Sequence, residues 1–285
     1  MARYHADLHL HSTASDGTDA PADVVRRAAA KGLRAMALTD HDTVAGIAEA
    51  QAAGAELGVE VIAGVELTCY AGKREVHMLG YGVNPRSKAL RVHCERFQTA
   101  RIGRAREIGK RLAAAGAPIN MDQVMASADG GVVGRPHIAK ALLAAGHVAS
   151  WQEAFDRFLA DNAPANVPKL LITPRQCIDV IREAGGIAVM AHPGLNNQLD
   201  LIPLLREAGC EGIEVWHSNH DEHTTYRLQV MALEQGLLAT GGSDCHGEMK
   251  DGGPLLGDWG LGKAGWEKVE KALRDRKDTP HYARR

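Results

Sequence analysis

The stretch ADLHLHSTASDGT, residues 6–18, puts His9 and His11 at the end of a short apolar run and Asp16 in the turn that follows. Residues i and i+2 of a strand face the same side, so His9 and His11 can face one ion while Leu10 points into the core. The arrangement recurs along the chain. Thr39-Asp40-His41-Asp42, Gly64-Val65-Glu66, Glu75-Val76-His77, Ala191-His192-Pro193 and Ser243-Asp244-Cys245-His246 each close or follow an apolar run. Imidazoles and carboxylates drawn from distant segments to one rim of a rigid scaffold are the makings of a metal site. Any one of these histidines alone reads as a core or loop residue; the repetition is what points to metal. Asp16 also reads as the acid of the Ser15-Asp16-Gly17 turn. Asp40 and Asp42 also read as helix caps, Asp42 especially because it precedes Thr43.

Working outward, short apolar runs alternate with Ala-rich segments of helical spacing. Strands are expected at 4–8, 35–38, 59–67, 75–80, 187–191, 212–216 and 237–240. Helices are expected at 21–31, 43–57, 174–184 and 199–208, with Asp19 and Pro21 as a start signal and glycines as stops. This alternation implies parallel pairing in a βα barrel or a doubly wound sheet. Ligands at so many strand ends favour the barrel, whose strand ends share one rim. The rhythm breaks at 87–168, where only helices are expected, at 91–115, 136–145 and 151–159. The chain therefore divides into a barrel, 1–86 and 169–285, and a helical insertion, 87–168, expected to cap the barrel mouth. The tail from 278 reads as frayed.

Composition narrows the function. The 285 residues carry a net charge of -2, which gives no global basic field for duplex DNA. The basic stretch around Arg101, Arg104 and Arg106 reads as a solvated helix face. Five cysteines, Cys69, Cys94, Cys177, Cys210 and Cys245, show no paired spacing, which suits a reducing compartment. With no apolar signal core and no membrane-length run, the expectation is a cytoplasmic protein without membrane or protein partners.

The motifs "ADLHLHSTASDGT", "ALTDHDT", "GVELT", "EVHMLGY", "AHPG" and "GGSDCHG" together resemble the PHP (polymerase and histidinol phosphatase) family, relatives of the amidohydrolases. The resemblance implies an α/β fold, a distorted seven-stranded βα barrel holding up to three divalent ions. It implies ligands at His9, His11, Asp16, His41, Glu66, His77, His192, Asp244 and His246, none of them missing. It implies hydrolysis by a metal-bridging hydroxide held by those ligands. Three divalent ions carry +6; Asp16, Glu66 and Asp244 return -3 and a hydroxide -1, so the sum is about +2, matched to a phosphate monoester dianion. Mixed imidazole and carboxylate ligands suit Mn²⁺, Zn²⁺ or Fe²⁺ better than Mg²⁺ alone, and Mn²⁺ is the ion expected.

The rest of the substrate needs its own contacts. Gly134-Arg135-Pro136-His137 opens an expected helix, where an arginine beside the exposed N–H groups suits a phosphate. Lys169 is a second candidate cation, and Ser12 and Thr13 directly follow the H-x-H pair. In Trp216-His217-Ser218-Asn219-His220, Trp216 suits base stacking or the core; His217, Asn219, His220 and His223 suit a pocket wall or loop hydration. "VGRPHIA" and "WHSNHDE" narrow the resemblance to nucleoside 3′,5′-bisphosphate phosphatases and related 5′-to-3′ exonucleases of short RNAs. That implies removal of the 3′-phosphate from a substrate such as adenosine 3′,5′-bisphosphate, with Arg135, His137 or Lys169 on the other phosphate. Exoribonuclease action on short 5′-phosphorylated RNA is the near alternative, histidinol-phosphate phosphatase a further one, and a non-catalytic metal-binding module the alternative of another class.

Overall fold

A computed structural model describes residues 3–127, 133–160, 162–247 and 256–277. The expected frayed tail from 278 lies outside the described residues. The strands are β1 (Ala6–Leu10), β2 (Ala35–Leu38), β3 (Glu60–Ala71), β4 (Arg74–Tyr81), β5 (Ile187–Met190), β6 (Gly212–His217) and β7 (Leu238–Gly242). They form one seven-stranded sheet in sequence order. The chain leaving β7 returns to β1: the Asp244 N–H donates to His9 O at 2.9 Å and the His11 N–H to Cys245 O at 3.0 Å. The sheet thus closes nearly into a barrel.

Pairing is not parallel throughout, as alternation had implied. β1–β2, β2–β3, β5–β6 and β6–β7 are parallel, but β4 runs antiparallel to both β3 and β5. The cause is the connection. Only Gly72 and Lys73 separate β3 from β4, and a turn that short can join only antiparallel strands. Gly72, at φ +65°, supplies the left-handed turn residue. β3 also extends four residues past its expected end, because Thr68 to Ala71 continue the ladder with His77 to Arg74.

The helices of the barrel unit are α1 (Pro21–Ala30), α2 (Ile47–Leu57), α7 (Pro174–Glu183), α8 (Ile202–Glu207), α9 (Glu222–Gln235) and α10 (Lys263–Lys277); the other unit contains α4 (Met121–Ala126), α5 (Arg135–Ala144) and α6 (Trp151–Ala154), and α3 (Lys88–Ala114) begins in one and ends in the other. α2 begins later than Thr43. Its N-cap is Gly46, without a side-chain cap bond. The cap reading of Asp42 is therefore corrected: its carboxylate accepts from the N–H and hydroxyl of Thr68 on β3 at 3.0 and 3.1 Å. Asp40 caps no helix either; it accepts from Ser12 N, Ser12 Oγ and Ser15 Oγ at 2.7, 2.7 and 2.6 Å. At α1 the N-cap is Ala20, and Asp19 pairs instead with Arg27.

The chain forms two compact units, Met1–His93 with Ile172–Arg285, and Cys94–Leu171. In the first, Leu8, Ala37, Leu79, Tyr81 and Val189 pack with Trp266, Val269 and Leu273 of α10. Those three recur at helical spacing and give α10 its single apolar stripe. In the second, Ile108, Leu112, Val124, Ile138, Leu142, Phe158 and Leu159 form a separate core. Each unit thus buries its own apolar surface, the main favourable term in folding. All five cysteines are free and buried. Among the described residues no helix is long and apolar enough to cross a membrane.

Candidate metal centre

All nine residues of the expected ligand set meet at one rim of the barrel. Glu66, near the middle of β3 and 1% exposed, is their common point. Its Oε2 lies 3.1 Å from His9 Nε2, 3.1 Å from His11 Nε2 and 3.3 Å from His41 Nδ1. Its Oε1 lies 2.8 Å from His77 Nδ1 and 3.2 Å from His192 Nε2. One carboxylate therefore serves five imidazoles, two on β1 and β4 and three in the segments that follow β1, β2 and β5. Asp244 Oδ1 adds contacts of 3.4 Å to His9 and 3.1 Å to His11. Asp16 Oδ1 lies 3.3 Å from His246 Nε2. His9 and His11 both reach Glu66 and Asp244, as alternation about the buried Leu10 requires.

Three overlapping groups have ligand atoms close enough for single ions: His11, Asp16, His41 and His246; His9, His11, Glu66 and Asp244; and His41, Glu66 and His77. Their donor atoms test the fit. Both ring nitrogens of His11 and the Nδ1 atoms of His41 and His77 are buried without a well-formed hydrogen bond, though carboxylate oxygens stand beside them. Buried polar atoms are ordinarily paired. Nitrogens that converge on shared oxygens without bonding them are placed for a cation between them. Divalent ions with imidazole and carboxylate ligands fit this set.

Electrostatics agree. Burial opposes a charge on Glu66 and Asp244, yet the surrounding imidazoles hold both carboxyls well below their ordinary range. Burial likewise opposes protonation of His11, but Asp244 and Glu66 overcome it and lift that imidazole to about 9. His77 rises to about 10 against burial, through Glu66 and Glu75. His41 goes the other way, down to about 3, because burial dominates and His11 and His77 add like charge. In the absence of metal, protons take part of the role of cations here.

The backbone is strained where it presents ligands. His192 has φ +28° and Asp244 φ +56°, with Asp42 at φ +50° beside the site. Non-glycine residues hold such angles only when the surroundings determine them. Asp7 and Glu214, which the motifs did not single out, and Asp40, first read as a cap, do this holding. Asp7, fully buried, accepts from the N–H and hydroxyl of Ser243 at 2.9 and 2.7 Å, fixing the turn that carries Asp244 and His246. Burial pushes the Asp7 carboxyl up to about 6. Asp40 fixes the Ser12–Ser15 turn that carries Asp16. Glu214 on β6 accepts from the His9 ring and from the His192 N–H. The available signal was a lone acid within an apolar strand, as in Ala6-Asp7-Leu8 and Ile213-Glu214-Val215. A charged Glu214 would lower the sum expected for three ions and a hydroxide to about +1.

The expected substrate contacts are placed as follows. The Ser12 hydroxyl is buried, donates to Asp40 and accepts from Ala14 N. His220 is engaged on both sides: Nδ1 donates to Val215 O at 2.9 Å and Nε2 accepts from Gly194 N at 3.0 Å. Asn219 is exposed and its N–H donates to His217 Nδ1. Trp216 packs against the barrel core. Arg135, His137 and Lys169 belong to the second unit and are half-buried. Arg135 donates to Leu159 O at 3.0 Å and lies over the Phe155 ring. The His137 ring accepts from Gly134 N.

Known proteins share this architecture. The model of the PHP domain matches residues 7–159. A 3′,5′-nucleoside bisphosphate phosphatase of Chromobacterium violaceum is 36% identical over 84% of this chain and 86% of its own. A 5′-3′ exoribonuclease of Haemophilus influenzae is 37% identical over 84% and 89%. A crystal structure of an amidohydrolase from Chromobacterium violaceum, with bound sulfate and no metal, superposes with a TM-score of 0.80 at 33% identity, over 95% and 96% of the two chains. The fold is thus that of a known group, and the chain belongs to the PHP-domain family.

Proposed function

We propose that the protein is a metal-dependent phosphoesterase that removes the 3′-phosphate from nucleoside 3′,5′-bisphosphates. The observation that carries the reading is Glu66, whose two oxygens stand within 3.3 Å of five imidazoles. Such a cluster concentrates positive charge once loaded, which suits a phosphate and is excessive for a neutral amide. The phosphatase relative supports the substrate class.

His9, His11, Asp16, His41, Glu66, His77, His192, Asp244 and His246 would hold the ions. Bound there, divalent ions supply Lewis acidity and an activated water at neutral pH. The chain does the rest. Glu66 and Asp244 hold the ring nitrogens of His9 and His11 toward one small volume. Asp7 and Asp40 fix the two turns that bring acids to the same rim. A 5′-to-3′ exoribonuclease activity on short RNA is the second reading, favoured by the Haemophilus influenzae relative. Both substrates present a terminal 5′-phosphate beside a 3′-phosphoester.

The test is a panel with Mn²⁺-reconstituted protein: adenosine 3′,5′-bisphosphate, a nucleoside 3′-monophosphate, a short 5′-phosphorylated RNA and histidinol phosphate. The highest kcat/KM is expected on the bisphosphate. Higher kcat/KM on the RNA supports the second reading, and no hydrolysis of any member contradicts both.

A further inference from the structure

A fourth group of potential ligand atoms, His9, Glu214 and His217, lies behind the rim and is completely buried. Glu214 and His217 are three apart on β6, so a regular strand would send them to opposite faces. They share a face because the register slips by one residue between Glu214 and Trp216. Their hydrogen bonds give the two residues different tasks. Glu214 Oε1 accepts from His9 Nδ1 at 3.1 Å, and Oε2 accepts from the His192 N–H at 2.8 Å. Both oxygens thus hold residues that serve the metal site.

His217 is the inverse case. Its Nδ1 lies 3.0 Å from the Asn219 backbone N–H, which can only donate. The neutral ring must then carry its proton on Nε2. That buried nitrogen has no well-formed hydrogen bond; Asp244 Oδ2 lies 3.5 Å away and Glu214 Oε2 4.0 Å away. A nitrogen bearing a proton cannot bind a metal.

We propose that Glu214 and His217 are a pair of positioning residues that fix opposite proton arrangements beneath the metal centre. Glu214 keeps the proton of His9 on Nδ1, so that Nε2 faces Glu66 and Asp244. His217 keeps its proton on Nε2 and directs it at Asp244, a metal-site carboxylate, without becoming a ligand. The inference rests on the metal-centre reading given above. It explains why a group of three ligand types within reach of one another is not a further ion site. It also makes a chemical distinction: a carboxylate at 214 accepts two donors, whereas the amide oxygen of glutamine serves only one unless both donors share it.

The experiment uses protein labelled with ¹⁵N-histidine and loaded with Zn²⁺, a diamagnetic probe. Its metal content is measured first, and wild-type protein that takes up no Zn²⁺ contradicts the metal reading itself. In loaded protein, two-bond ¹H–¹⁵N correlations report the tautomer of each ring, and His217→Gln identifies the His217 signals by their loss. The expected result is a His217 ring with Nε2 protonated and no metal-bound nitrogen. His217→Gln, whose side-chain amide can still donate, should retain the wild-type number of ions. Glu214→Gln should weaken binding at one or more sites by about 10–100-fold, the range of outer-shell changes. A metal-bound nitrogen on His217 in the wild type overturns the proposal without any variant. So does wild-type affinity in Glu214→Gln, with circular dichroism confirming that the variant is folded.

Discussion

Glu66 Oε1 lies 2.8 Å from His77 Nδ1 across the β3–β4 hairpin. Because β4 runs against its neighbours, a residue early in β4 reaches the rim that parallel strands reach at their ends. The hairpin therefore brings His77 to the centre, and Glu66 ties it to the rest. Replacing Glu66 by Gln should release more than one ion, since its oxygens stand at two of the candidate ion groups. Activity should fall by more than the roughly 10–100-fold of an outer-shell change. Metal content and turnover of folded Glu66→Gln check this; loss of neither would remove Glu66 from the centre.

Protonation of the unloaded site leads to a pH prediction. His11 and His77 are raised to about 9 and about 10. A raised imidazole stabilises the fold below its ordinary value of 6.5, and that contribution is lost as pH rises through 9 to 10. Asp16, Glu66 and Asp244 are depressed, so their contribution is present above their ordinary values of 3.8 to 4.5 and is lost as pH falls. Metal-free protein should therefore have its highest Tm between about pH 4.5 and 6.5 as far as these groups decide it. Metal must also displace the imidazole protons, so Mn²⁺ binding at pH 7 should release protons and tighten as pH rises. Calorimetry in buffers of different ionisation enthalpy measures the release; none would contradict the assignment.

Barrel closure depends on a missing side chain. A Cβ on Gly242 would lie 2.4 Å from His9 N and Cβ. Gly242→Ala should push β7 from β1 exactly where His9 enters the site, at a cost of about 1–3 kcal/mol. The expected readouts are a lowered Tm and reduced metal content in the same variant. An unchanged Tm would show that β1 and β7 are held otherwise.

The sequence exposed some of this and concealed the rest. β2 was legible to the residue because Ala35–Leu38 is a short apolar run with charged or polar neighbours. The candidate ligands stood out because His9, His41, His192 and Asp244 sit at or just past strand ends, where polar residues contrast with the run before them. β4 was expected as a strand but its direction was missed: Gly72-Lys73 lies between two β-rich runs, yet the helical rhythm around it suggested parallel pairing. The roles of Asp40 and Asp42 were hidden for a different reason. An acid before a helix has a local reading as a cap, while Ser12, Ser15 and Thr68, which they bind, are distant in sequence. Glu214 gave only the signal of an acid in an apolar strand, and its partners depend on the β6 bulge.

Substrate preference tests the second unit. If Arg135 holds the non-reacting phosphate, Arg135→Ala should hurt a 3′,5′-bisphosphate at least roughly tenfold more than a 3′-monophosphate. Lys169→Ala should show a weaker version, since an ammonium lacks the arginine fork. Loss of the Arg135 bond to Leu159 O should also cost stability, on the order of 1 kcal/mol. Comparing kcat/KM on both substrates separates the effects: equal losses would assign Arg135 to folding of its own unit.

If the clustered imidazoles and carboxylates work through bound metal on a phosphoester, phosphate release must follow the ions bound. The direct measurement strips the protein with a chelator, then follows bound Mn²⁺ and phosphate release from adenosine 3′,5′-bisphosphate on the same samples during reconstitution. Release should be absent in stripped protein and rise with the ions bound. Full turnover in protein shown to hold no metal would contradict the account.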